Sequence, residues 1–346
     1  VVEQILQAFG LNAPDYMINR ISTGYINHTY RLTGPTSYIL QRVNKNVFTK
    51  PERIASNLRM AADHLRQHAP GYLFLSSIQT PSGEEMVYDM EGYPWRVFPY
   101  IANSVTIDRV ETAAEAYNAA AGFALLAKNL SDCDVSLFKP TIERFHDLAW
   151  RYEQFETALQ NTTQERLEEA RGSVDACQRY VYLVEEYTRA IHRGDLPLRI
   201  LHNDTKINNI LFDATTREAV CVIDLDTLMP GYFIYDFGDM VRTCVSPVDE
   251  EERDLDRITF RREIYSALER GYLTSMGEVL HPAEKQLLPF SGMMMTYIMA
   301  LRMLADFLNG NIYYQITYAD QNLVRAKNQL RLLDVLRENL YGARPE

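Results

Sequence analysis

Cysteine is scarce and scattered: Cys133, Cys177, Cys221 and Cys244 show no C-x-x-C spacing and no neighbouring histidine cluster. That speaks against a disulfide framework and a zinc finger and points to reduced thiols. Positive charge is in deficit, with 35 Lys and Arg against 46 Asp and Glu and a formal charge of −11. Such a balance argues against nucleic acid or an anionic membrane as the main partner. Long apolar runs are missing too, since the richest, Met293 to Leu304, is interrupted by Arg302, so no membrane span is expected. The opening VVEQILQAFGL is a short amphipathic helix without the basic start and apolar run of a signal peptide. There is no low-complexity tract or internal repeat, and a cytoplasmic location is the expectation.

What is present is a chain of 346 residues, 47% hydrophobic and 23% charged, long enough for two lobes and a sizeable core. Its most informative stretch runs from Ile200 to Arg242. Asp204, in His202-Asn203-Asp204, is followed five residues later by Asn209. The apolar run from Ile210 to Phe212, a polar turn, and a second run from Ala219 to Ile223 read as a β-hairpin that ends at Asp224. A hairpin brings its outer ends together, so Asn209 and Asp224 can meet with Asp204 one loop away. Transfer of a γ-phosphoryl group from a Mg-nucleotide to a hydroxyl wants this set: one Asp for the hydroxyl, and an Asn with an Asp to hold the metal. Mg²⁺ takes hard oxygen ligands and keeps several waters, so two protein ligands suffice. Each residue alone would pass for a turn former. Gathered with Asp226, Asp236 and Asp239, they would repel without a cation or buried partners.

Asp236-Phe237-Gly238 spells the protein-kinase magnesium motif but follows a Met-Pro-Gly turn instead of a strand. Asp224, closing Val220-Cys221-Val222-Ile223, is the better ligand, and Asp236 is assigned to bracing the loop. For Asp226 two roles are open, a second ion or a brace for Lys206. His202 pins the catalytic loop by hydrogen bonding.

Towards the N-terminus, Ile18 to Leu32 reads as strand, turn, strand with Ser22, Thr23 and Gly24 at the bend, a hairpin tip able to lay amides over phosphates. The next strand, Ser37 to Val43, offers Arg42 to the nucleotide phosphates, a guanidinium being suited to phosphate oxygens. A helix from Pro51 to about Gln67 should brace it, yet its only glutamate is Glu52 at the very start, leaving Asn57 as a substitute. Further strands are read at Gly71 to Ser76, Glu85 to Tyr88 and Tyr93 to Ile101. Adenine would meet the backbone of Phe98, Tyr100 and Ile101 at a hinge. Beyond Val105 the chain is helical apart from the hairpin, and His146 is read as a structural histidine. Within MMMTYIMALRMLADFL, Arg302 either pairs with Asp306 at i,i+4 or points into the cleft.

HNDTKINNILFD, VIDLDTLMPG and YDFGD resemble the aminoglycoside-phosphotransferase and choline-kinase superfamily, and within it the N-acetylhexosamine 1-kinase branch. L-Q-R at Leu40 to Arg42, and Arg302, Leu304, Asp306, Leu308 and Gly310 ahead of Tyr313-Tyr314, are similar to that branch as well. The resemblance implies a bilobal protein-kinase-like α/β fold, with a small β-rich nucleotide-binding lobe (1–99) and a large, mostly helical catalytic and substrate lobe (100–346). It implies ATP as co-substrate, Mg²⁺ as cofactor, and a free sugar phosphorylated on its anomeric hydroxyl. Arg302, Tyr314 and Tyr25 would contact the sugar; the characterised branch carries histidine near the last. The rival classes are a choline, amino-alcohol or aminoglycoside kinase, whose cationic substrate Arg302 would oppose, and a non-catalytic ligand-binding relative.

Overall fold

The computed structural model describes residues 1–21 and 26–342. Helix α1 (Val2–Ala8) precedes three strands, β1 (Met17–Ile21), β2 (His28–Thr33) and β3 (Tyr38–Arg42), and then helix α2 (Pro51–His68). With β4 (Val87–Tyr88) and β5 (Pro94–Pro99) these strands form one antiparallel sheet in the order β1-β2-β3-β5-β4. The register sets Gln41 opposite Arg96 and Arg42 opposite Trp95. Because successive side chains on a strand point to opposite faces, this alternation decides which of them reach the cleft.

One face of the sheet carries Leu32, Leu40, Trp95 and Val97, which pack against Ile5, Leu6 and Phe9 in a small apolar core. Pro51 starts α2 with its missing N–H where no intrahelical partner exists. Its buried stripe of Ile54, Leu58, Ala61 and Leu65 joins the larger core instead, so by packing α2 belongs with the second lobe. Asn57 does not brace Arg42: it donates to the Lys139 and Leu228 carbonyls and accepts from the Lys139 amide. Gly71 to Ser76, expected as a strand, runs outside any sheet.

After β6 (Ser104–Val105) come helices α3 (Ala113–Asn129), α4 (Leu148–Asn161), α5 (Gln164–Arg179) and α6 (Tyr182–His192). A Thr112 and Glu115 capping box starts α3. Strand β7 (Arg199–Leu201) pairs with β10 (Met229–Gly231), while β8 (Ile210–Asp213) and β9 (Ala219–Val222) form the expected hairpin, extended by β6. Helices α7 (Phe233–Cys244), α8 (Arg262–Met276), α9 (Pro282–Gln286), α10 (Leu288–Leu308) and α11 (Gln321–Tyr341) complete the lobe. Helix α10 is long and apolar enough to cross a bilayer, but 83% of its apolar window is enclosed by the protein. It crosses α7 closely: a Cβ on Gly238 would lie 2.3 Å from the Ser291 carbonyl oxygen, and one on Gly292 2.5 Å from Val241. Gly238, the last residue of Asp236-Phe237-Gly238, is thus a packing glycine.

Candidate active site

The segment from His202 to Asn209 leaves β7 and is held from several sides. The backbone amides of His202 and Asn203 donate to the Asp236 carboxylate at 3.3 and 2.7 Å. The Thr205 hydroxyl donates to the Asp236 carbonyl at 2.6 Å. Asn203 occupies the left-handed region at φ 64 and donates its amide to the Leu201, Thr227 and Met229 carbonyls. His146 Nε2 donates to the Asn203 carbonyl at 2.7 Å. Asp236 therefore braces the loop, as its place in the sequence suggested, and burial pushes its carboxyl up to about 6. Burial likewise drives His146 down to about 3, so that histidine is neutral and anchors backbone.

His202 Nε2 donates to the Ile223 carbonyl at 2.9 Å while Nδ1 accepts the Asp204 amide at 3.2 Å, which fixes its tautomer. Asp204 follows, half-buried. Its carboxylate accepts Asn209 Nδ2 at 3.1 Å and lies 3.0 Å from Lys206 Nζ. Burial alone would raise Asp204, but the Lys206 ammonium, by its charge and its hydrogen bond, outweighs it and holds the group below the usual carboxylate range. Lys206 is driven up to about 12, chiefly by Asp204. Lys206 was not foreseen as the partner of Asp204. The D-x-K spacing, which sets two side chains on one side of an extended loop, was the available signal.

Asn209 donates to the Asp204 carbonyl and carboxylate, leaving its own side-chain oxygen as an acceptor. The Asn209 carbonyl accepts the Ile223 amide at 2.9 Å, which brings Asp224 alongside. Asp224 holds a left-handed conformation at φ 57, uncommon for a residue with a side chain, and its carboxylate is exposed at the cleft. Partial desolvation, then Asp226, then Asp204, push it up to about 7. Three carboxylates crowd here with too little positive charge to hold them all ionised. Asn209 and Asp224 offer the hard oxygen donors that fit a divalent cation in that position.

Asp226 braces something other than Lys206. One of its oxygens accepts Arg96 in a buried ion pair and the other accepts Asn27 Nδ2 at 2.8 Å. Arg96 also donates through Nε to the Gln41 side-chain oxygen at 3.0 Å. Arg42 is not brought to this cluster. It lies on the opposite face of β3, 3.2 Å from His28 Nδ1 and over the Tyr93 ring at 4.3 Å. Alternation along the strand puts Gln41 and Arg96, and not Arg42, on the face that meets Asp226. At the hinge, Phe98 is buried and Tyr100 donates its amide to the Ser37 carbonyl at 3.1 Å. Ser22, Thr23, Gly24 and Tyr25 lie outside the described residues.

Arg302 and Asp306 are not paired with each other. Asp306 accepts the amides of Ile312, Tyr313 and Tyr314 at 2.8 to 3.0 Å, and Asn322 Nδ2 at 2.8 Å. It is the anchor of the loop after α10. Arg302 instead stands among aromatic rings, 5.4 Å from the Phe145 centroid, 6.0 Å from Tyr313 and 5.7 Å from Tyr314. Its one polar contact among the described residues is the Met299 sulfur at 3.6 Å. Arg151 stands nearby, spent on the Phe145 carbonyl and Gln154, and is lowered to about 10 by burial and then by Arg302. Tyr314 carries a buried hydroxyl without a partner. Arg325, over the Tyr314 ring at 5.3 Å, begins a chain of ion pairs through Glu250 and Arg242 to Asp239, behind the catalytic loop.

A small antiparallel sheet over a large helical lobe is a kinase-like fold, and the loop after β7 and the end of the β8–β9 hairpin bring Asp204, Asn209 and Asp224 together. The chain belongs to the phosphotransferase enzyme family, whose model matches residues 18–278. Solved structures agree in fold over nearly the whole length. A microcompartment-associated aminopropanol kinase is 18% identical with a TM-score of 0.64, covering 99% of this chain and 98% of its own. An amicoumacin kinase, solved with AMP-PNP and Ca²⁺, is 14% identical with a TM-score of 0.63 over 96% of this chain and 92% of its own. An aminoglycoside phosphotransferase from Alicyclobacillus acidocaldarius is 12% identical with a TM-score of 0.60 over 99% and 97%.

Proposed function

We propose that the protein is an ATP- and Mg²⁺-dependent kinase that phosphorylates the anomeric hydroxyl of a free sugar, with an N-acetylhexosamine as the first candidate. The observation that carries the sugar reading is Arg302. It stands beside Phe145, Tyr313 and Tyr314 with no carboxylate on it among the described residues, and this reading assigns it to the acceptor. A cationic amino alcohol or aminoglycoside would want acids there, whereas an oxygen-rich neutral sugar can accept hydrogen bonds from the guanidinium and stack on the rings.

In this reading Asn209 and Asp224 hold Mg²⁺, which when bound offsets the charge of the β- and γ-phosphates. Asp204 accepts a hydrogen bond from the sugar hydroxyl and orients it toward the γ-phosphorus. As the new O–P bond forms and the bond to the β,γ-bridging oxygen breaks, Asp204 receives the hydroxyl proton and passes it to solvent. Lys206, 3.0 Å from Asp204, keeps the carboxylate ionised and faces charge arriving on the transferred group. A carboxylate held low is a weak base, and an anomeric hydroxyl, more acidic than an ordinary alcohol, suits it.

The test is ADP release over a panel of free hexoses and N-acetylhexosamines set against choline, aminopropanol and aminoglycosides. Turnover with a free sugar, giving an acid-labile phosphate and loss of the reducing end, is expected. Turnover confined to the amino compounds would move the assignment to that class. ATP binding without ADP release on any acceptor would favour the non-catalytic alternative.

A further inference from the structure

Protein kinases set a lysine of the third strand against a glutamate of the following helix, and that pair joins the strand to the helix and lends a positive charge to the nucleotide phosphates. Both halves are missing here. The cleft-facing position of β3 is Gln41, and Asn57 of α2 is spent on Lys139 and Leu228. A triphosphate beside three carboxylates would then lack a partner from the sheet.

We propose that Arg96, on β5, supplies that charge, and that Asp226 takes the place of the helix glutamate. This rests on the kinase reading above and adds the residue by which the sheet engages the triphosphate. Gln41 and Arg96 are register partners on the cleft face of neighbouring strands, and the Gln41 oxygen accepts both Nε and Nη2 of the guanidinium. Nη2 also bonds Asp226, two residues beyond Asp224. Asn27, whose side-chain oxygen accepts the Asn44 amide at 2.9 Å, binds the other oxygen of Asp226. Strand β5, strand β3 and the β1–β2 hairpin therefore all meet the metal-side turn through one carboxylate.

Arg96 is only 2% exposed, and burying a guanidinium is costly unless its donors are satisfied. Nη1 is buried without a hydrogen-bond partner among the described residues. A buried cation that bonds Asp226, two residues beyond Asp224, and keeps an unspent donor among the described residues is suited to a phosphate oxygen. Nη1 is enclosed here, so the contact is made by a rotamer shift of Arg96 that keeps Nη2 on Asp226. The nucleoside part of the ligand gains nothing from this residue, and that separates a phosphate-binding role from a merely structural one.

The experiment compares calorimetric binding of Mg-ATP and of adenosine to the wild type, to Arg96→Lys and to Arg96→Met/Asp226→Asn. The double variant removes both buried charges together, so neither is stranded, and its melting curve reports folding. Loss of a charge-assisted hydrogen bond should weaken ATP in the double variant by about 10- to 100-fold, with adenosine unchanged. Arg96→Lys should fall between, and the KM for the acceptor should stay put. Equal weakening of ATP and adenosine, or no weakening of ATP, would overturn the assignment. A wild type that binds adenosine but shows no preference for ATP would sink the kinase reading itself, which keeps the two failures apart.

Discussion

The two ends of the cleft are built in opposite ways. At the end proposed for the metal, burial and then the charges of Asp226 and Asp204 push Asp224 up to about 7. The loop bearing Asp204 is fixed by Asp236, His146 and Thr205. At the end proposed for the acceptor, Arg302 and Arg151 stand close with no acid on Arg302 among the described residues, and the loop carrying Tyr313 and Tyr314 hangs on Asp306. An excess of carboxylate asks for a cation, and an unpaired guanidinium asks for oxygen acceptors. The contrast thus describes the ligands that each end is missing.

The largest effect should come from the acid end. Asp204→Ala should cut turnover by about 10³-fold or more, beyond the usual share of one acid or base because the hydroxyl also loses its orientation. Mg-ATP affinity measured by calorimetry should stay within a few-fold. Undiminished turnover would remove Asp204 from the chemistry. Asp224→Ala should lower activity by about 10²-fold and flatten the Mg²⁺ titration, while an unchanged titration would contradict the ligand assignment.

At the other end, Arg302→Met should raise the acceptor KM by about 10- to 100-fold with little effect on the KM for ATP. The sharper variant is Arg302→Glu, which makes both ends acidic. It should lose the sugar and gain measurable turnover of a cationic amino alcohol. If the wild type already prefers the amino alcohol, the contrast between the ends says nothing of the acceptor.

These two ends were not equally legible in the sequence. That His202, Asp204, Asn209 and Asp224 come together was readable because it depends on local spacing, a loop and a hairpin of fixed reach. Asp236 was readable as a brace for the same reason. Adjacent residues on a strand face opposite ways, and nothing in Leu40-Gln41-Arg42 tells which face meets Asp226. That is set by α1 packing over Leu40 and Trp95. The contacts of Arg96 were invisible in the sequence because its partners, Gln41 and Asp226, are distant along the chain. For Arg302 the sequence offers a pairing with Asp306, and what removes that pairing is loop 312–314, whose amides take Asp306.

That last competition is itself breakable. Asp306 is buried and holds three amides and Asn322, so Asp306→Ala should destabilise the protein by about 2 kcal/mol through donors left without an acceptor. Loosening Tyr313 and Tyr314 should also raise the acceptor KM several-fold. Destabilisation without any change in KM would show that the loop serves the fold alone.

The smallest effect, and the one most specific to the acid end, is its pH dependence. Asp224 sits at about 7 in the metal-free protein against an ordinary value near 3.8. Between those values the unfolded chain has given up its proton while the native state keeps it. This group's contribution to stability therefore falls as pH rises through that window. A divalent cation needs the ionised form, so its binding displaces the proton below about 7 and is unhindered above it. The rise in melting temperature on adding Mg²⁺ to chelator-treated protein should accordingly be larger at pH 8 than at pH 6. In Asp224→Asn the rise should shrink and lose its pH dependence. An equal shift at both pH values in the wild type would mean that the crowded carboxylates are not where the metal lands.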